Sequence, residues 1–184
     1  MNFQNYFKEL KNSQEYKDFM KENPDAFLAG AFFIIDLKFN GKENHQSLDF
    51  YIPKNKEMFS FFINENSETS NKSHKVTDFK KSRIDLIDKE NIPRIIKEDL
   101  DFDIEKISEL LQKKVEYEKI NNSIQKILFS LQIKINVKKD EYFLVGTVFL
   151  DKMGLIKFVI DIEEMNFVEF EKKNFFDILR PVKK

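Results

Sequence analysis

The sequence predicts an α+β fold: two consecutive helix-plus-antiparallel-meander units, either separate lobes or merged into one body. Three observations carry this. A helix-period apolar stripe followed by strand-period alternation occurs twice along the chain. The stretch 64–75 holds no apolar residue and sets the two occurrences apart. The chain of 184 residues is 41% apolar, with 21 Phe and no Cys. At that length folding buries roughly 70% of the chain's surface, enough for a core without cross-links.

The first element is a broken helix. Phe3, Tyr6, Phe7 and Leu10 share one face, and Tyr16, Phe19 and Met20 do not continue it. Asn12 with Glu15 reads as a capping box that restarts the helix, and Asn23-Pro24 ends it. Residues 27–37 are apolar at both parities, the pattern of a doubly covered strand. Asn40-Gly41 is a turn signal. Leu48, Phe50 and Ile52 alternate, 53–56 turn the chain, and 57–63 return as a third strand. Residues 76–99 read as short strand or helix pieces, because Pro93 forbids a continuous helix.

The second copy is cleaner. Ile104, Ile107, Leu111 and Val115 form a tight stripe, with Asp103 placed as N-cap and Phe102 and Ile107 as a hydrophobic staple. Ile127, Phe129, Leu131, Ile133, Ile135 and Val137 alternate with Ser130, Gln132, Lys134 and Asn136, one face apolar and one polar. Residues 142–150 are apolar on both faces, 155–162 follow a turn at 151–154, and 167–170 add a last strand. A short helix at 174–179 closes the chain before Pro181. The expected domains are 1–64, a polar linker and connector at 65–99, and 100–184. An offset of about 99 positions places Phe3 on Phe102, Ile34 on Ile133 and Phe59 on Phe158. The ordered succession of elements argues for duplication more than these sparse identities do.

Candidate chemistry is thin. His45 and His74 are the only imidazoles and sit in polar contexts without a partner at ligand spacing. Glu98, Asp99, Asp101, Asp103 and Glu105 crowd the start of the second helix, where the helix dipole favours acids. They lack the spacing and the Gly of a calcium loop. The chain carries no Gly-rich phosphate loop and no nucleophile elbow. These observations point away from an enzyme and imply no cofactor and no metal. Residues 71–97 hold eight basic against four acidic side chains, including Lys72, Lys75, Lys80, Lys81 and Arg83 beside Phe79. That segment is the candidate contact for nucleic acid. Phe59, Phe61 and Phe62 put aromatics on both faces of one strand and are the candidate partner-binding set.

Asp151, Gly154 and Asp161, followed by Phe167-Val168, give an Asp–Gly hairpin, a strand ending in Asp and a turn into a short strand. This resembles the PepSY unit, a small cystatin-like module, over roughly 102–170 and more weakly over 3–63. Where that final turn usually carries Gly, this chain has Asn166. The layout also resembles that of small archaeal proteins. The resemblance implies a helix packed on an antiparallel sheet, and a role as an inhibitory or chaperoning segment of peptidases. The N-terminus shows no apolar signal core, and its longest uncharged stretch, 26–35, is shorter than the roughly 20 residues that span a bilayer. A cytoplasmic location without membrane contact is expected.

The expected function is therefore a non-catalytic interaction module that binds a protein partner or itself. Weak nucleic-acid binding through 71–97, or a small molecule held in a Phe-lined cavity, are the alternatives.

Overall fold

The computed structural model describes residues 2–39, 41–63, 79–85, 92–135 and 140–174. Among them are three α-helices and eight strands. In chain order these are α1 (Phe3–Asn12), α2 (Gln14–Glu22), β1 (Phe27–Asp36), β2 (His45–Ile52), β3 (Glu57–Ile63), β4 (Phe79–Ile84), α3 (Ile104–Tyr117), β5 (Ile124–Ile135), β6 (Asp140–Leu150), β7 (Gly154–Asp161) and β8 (Asn166–Asn174). The strands follow the sheet order β4-β3-β2-β1-β5-β6-β7-β8. The pairs β2–β3, β3–β4, β5–β6, β6–β7 and β7–β8 are antiparallel. The expected mixed α+β class is what the chain adopts. The expected closing helix at 174–179 falls, beyond Asn174, outside the described residues.

Contacts divide the chain into two compact units, Met1–Ala31 with His45–Ile104, and Phe32–Asn44 with Glu105–Lys184. The division falls inside β1. Neither unit is one of the contiguous runs 1–64 or 100–184 that local patterning suggests.

In the first unit, the Asn2 side chain caps α1 by accepting the Asn5 N–H at 3.2 Å. The predicted stripe Phe3, Tyr6, Phe7 and Leu10 is fully buried. The second helix is capped by Ser13, whose Oγ accepts the Tyr16 N–H at 3.2 Å. The expected cap, Asn12, is instead the last helical residue of α1, so the break sits one position later. Tyr16 and Phe19 then pack against the sheet: Tyr16 lies 5.3 Å from Phe50, and Phe19 lies 5.1 Å from Phe61, edge-on in both cases. Phe50 pairs with Phe59 and Leu48 with Phe61, so these four share the helix-covered face.

The fourth strand lies within 65–99, where a polar connector is expected. Its inner end is Phe79, 4% exposed and 5.6 Å from Tyr6. The rest of the strand, Lys80-Lys81-Ser82-Arg83-Ile84, is mostly polar, so a period-2 apolar pattern never appears. Downstream, the Ile96 N–H donates to the Leu28 carbonyl at 2.8 Å. Phe102 stacks on Phe3 at 4.9 Å, and the Gln4 amide donates to the carbonyls of Glu98 and Leu100.

In the second unit the loop after β1 closes on Asp36. Its carboxylate accepts the backbone N–H groups of Lys38, Phe39 and Glu43. Gly41, at φ 81°, donates its N–H to the Asp36 carbonyl at 3.0 Å. Lys126 forms an ion pair with Glu43. Ile107, Leu111 and Val115 of α3 are buried, as are Ile127, Phe129 and Leu131 of β5. Leu144, Val148, Ile156, Phe158 and Ile160 continue that face across β6 and β7 in register. Lys114 of α3 sits 5.4 Å from the Phe170 ring, and Phe170 pairs with Phe158. The helix therefore lies on the face that carries Phe129, Gly146, Phe158 and Phe170.

Candidate functional site

The face of the second unit turned away from α3 is the candidate site. Strand alternation puts Leu128, Thr147 and Lys157 in one cross-strand row. Ser130, Val145, Val159 and Glu169 form the next row. With Phe32 of β1 these residues line an open groove of about 470 Å³. Leu128, Val145 and Val159 are half-buried, whereas their counterparts on the α3 side are fully buried. The floor is apolar, Ser130 and Thr147 supply hydroxyls, and Lys157 and Glu169 stand at one side. Such a surface gains by being covered and has two hydroxyls with which to set register.

Charged side chains flank the groove on β7 and β8, where Lys157 lies in register with Glu171. Lys11, Lys81, Arg83, Lys114 and Lys173 each pair with an acid, Lys11 with Glu98 at 3.3 Å and Lys173 with Glu171 at 3.1 Å among them. Lys157 and Glu169 have no ion-pair partner among the described residues.

A second feature lies in the first unit. Asp49 is paired in register with Ser60. Its Oδ2 leans over Gly30, where an added Cβ would lie 3.1 Å away. Burial pushes the carboxyl above its usual range, against the opposing pull of the Ser60 hydroxyl and the charge of His45. Its Oδ1 is buried without a hydrogen-bond partner among the described residues. Burial thus weighs against the charged form of this carboxyl.

The residues singled out in the sequence are not brought together. Phe61 is fully buried among Tyr16, Phe19 and Phe50 and is core, not surface. Phe59 shares its face, 5.7 Å from Phe19. Phe62 is half-buried on the opposite face, 5.6 Å from His45. Of the basic set, Lys72 and Lys75 lie outside the described residues, as does His74. Lys81 sits over the rings of Phe19 and Phe59 and 3.9 Å from Glu15. Arg83 pairs with Glu57 at 3.1 Å. Lys80, one residue off in parity, belongs to the other face of β4. The basic residues are thus split between two faces.

The acids near α3 serve the fold. Glu98 pairs with Lys11, Asp101 accepts the Gln4 N–H, and Asp103 bridges to Asn2. Among the described residues no cluster of His, Asp or Glu could hold a metal ion, and no helix is long and apolar enough to cross a membrane. Asp151 accepts hydrogen bonds from Asn122 and Ser123, which hold its carboxyl below the usual range. Asp161 accepts the N–H groups of Glu163 and Glu164 and closes the β7–β8 turn.

The groove escapes a sequence reading because Val145 and Thr147 belong to 142–150, a strand apolar on both faces. A fully covered strand gives the same pattern.

No family model matches this chain, and no curated protein matches it. Among solved structures, a candidate lipoprotein from Clostridium difficile 630 is similar over 86% of this chain and 90% of its own, at 14% identity with a TM-score of 0.41. A likeness that weak carries no argument about fold or function.

Proposed function

We propose that this chain is a non-catalytic cytoplasmic interaction protein whose second unit docks a protein surface on the sheet face turned away from α3. The observation that carries this is the half-buried apolar set Leu128, Val145 and Val159, opposite a fully buried one on the α3 side. The sheet edges support the same route. Lys80, Lys81 and Arg83 lie along β4, and Glu169, Glu171, Lys172 and Lys173 along β8. Charged edges discourage strand addition, which leaves the face.

Each half of the chain supplies helix and then a four-strand run in sheet order, which supports reading it as a tandem pair of PepSY-like units. Phe62 offers a half-buried ring on the helix-free face of the first unit and is a further candidate anchor.

A photo-crosslinking residue at Val145 tests the reading in living cells, with one at the exposed Lys113 of α3 as control. Discrete protein adducts from position 145 are expected. Adducts no more frequent than those from position 113 would refute docking at this face.

A further inference from the structure

We infer that the end of the second unit where β5 begins rests on a lipid bilayer with anionic headgroups. Leu37, Phe39 and Met153 enter the interface, and Lys38, Lys42 and Lys152 meet the phosphates. Two tips of this unit meet at that end. The Leu37 and Lys38 N–H groups donate to the Gln125 carbonyl, which sets the β1–β2 loop beside the start of β5. Ile124 pairs with Leu150, and the Asp151 N–H donates to the Ser123 carbonyl, which sets the β6–β7 turn on the other side of β5. Of the eight large apolar side chains exposed among the described residues, Leu37, Phe39, Phe149 and Met153 lie here, Phe39 45% and Met153 60% exposed. Exposed apolar residues scattered singly need no explanation, but four gathered at one end do.

Two properties select lipid over a protein. The first is charge. Leu37-Lys38-Phe39 and Lys152-Met153 set apolar beside cationic side chains. The acids of the same loops are turned to the fold: Asp36 accepts three backbone N–H groups, Glu43 pairs with Lys126, and Asp151 accepts from Asn122 and Ser123. An apolar tip ringed by lysines matches an anionic headgroup layer, with each Lys stem along the apolar zone and its ammonium at phosphate depth. The second property is the backbone. Hydrocarbon supplies no hydrogen bonds, so an inserted loop must satisfy its own. Every described backbone N–H from Asp36 to Asn44 is satisfied within the unit. The Asp36 N–H donates to the Asn44 Oδ1, and those of Phe39 and Glu43 donate to the Asp36 carboxylate. Those of Gly41, Lys42 and Asn44 donate to the carbonyls of Asp36, Phe39 and Gly41. A loop that meets a protein has no such need, because the partner can supply the bonds. Single apolar tips leave no long apolar stretch, so the sequence alone points away from a membrane.

Vesicles of phosphatidylcholine, with and without phosphatidylglycerol, test this. The chain should co-sediment with the anionic vesicles and be released as salt rises. Phe39→Asp and Met153→Asp should each bind about tenfold more weakly. Val168→Asp, at a position 61% exposed near the opposite end of β8, should bind like wild type. The chain has no Cys, so Met153→Cys takes a single environment-sensitive dye. Its emission should shift to the blue on anionic vesicles, and that of the same dye at Val168→Cys should not. Circular dichroism and melting establish that each variant is folded. The inference is overturned if the wild-type chain stays off anionic vesicles, or if folded Phe39→Asp and Met153→Asp bind as wild type does. A photo-crosslinker at position 39 that captures a protein and no lipid in cells would assign the tips to a protein partner and overturn it as well. None of these outcomes bears on docking at the groove, which position 145 reports.

Discussion

Gly146 lies in register between Phe129 and Phe158, and the two aromatic side chains close over its bare backbone. A Cβ at this position would stand 2.3 Å from the Leu128 carbonyl oxygen, 2.6 Å from Phe158 Cζ and 2.7 Å from Phe129 Cβ. The first of these is backbone and cannot rotate away. Gly146→Ala should therefore push β5 and β6 apart and cost about 2–3 kcal/mol. Urea denaturation checks this; an unchanged midpoint would show that the strands shift freely.

Phe61 and Phe62 are neighbours with opposite roles. Phe61→Ala empties a site among Tyr16, Phe19 and Phe50 and should cost about 3–5 kcal/mol. Phe62→Ala, on a half-buried ring, should cost about 1 kcal/mol. Chemical denaturation of the two single variants tests the order; equal losses would contradict the assignment of faces.

Asp49 should make the fold less stable as pH rises. Burial raises its folded-state value above that of the unfolded chain, so the folded state holds the proton through the window between them. The Asp49 contribution is fully present below about 4, the ordinary Asp value, and is lost as pH climbs through the raised folded-state value. Asp49→Asn mimics the neutral form. It should melt at higher temperature than wild type at pH 7 and show no advantage at pH 3. A variant that melts lower at pH 7 would mean that the charged form is the one the fold uses.

Asp36 should behave in the opposite sense. Desolvation pushes its carboxyl up, but the N–H groups of Phe39, Glu43 and Lys38, with the charge of Lys126, outweigh it and hold the group low. Its contribution is present above the unfolded value and lost as pH falls through the depressed one. Asp36→Ala should lower the melting temperature at pH 7, and the gap to wild type should close under strongly acidic conditions. A gap independent of pH would assign the effect to packing alone.

Helices and most strands were legible because their periods were. The stripe of α3 and the alternation of β5 leave little choice about element or face. The fourth strand was hidden because only Phe79 is inward and buried, while Lys80, Lys81 and Arg83 carry the mark of a solvated edge. The first strand misled in another way. Its buried positions run Leu28, then Ala31, Phe33 and Asp36, so the inward parity changes partway. A run apolar at every position cannot announce such a shift. The placement of β1 next to β5 in the sheet order has no local signature, because each strand's pattern records burial and not the neighbour that provides it. Strand 57–63 presents aromatics to both sides, and helix cover on one side turns Phe61 into core.

The division inside β1 bears on how this chain is made. Phe33 stacks on Phe129 at 4.9 Å, although 96 residues separate them. During synthesis the hairpin tip at 32–44 leaves the ribosome long before β5 exists, and its apolar side chains wait exposed until most of the protein has been translated. Contacts of such sequence separation slow folding. The part of β1 from Phe32 onward therefore finds its packing only once 105–184 has been made.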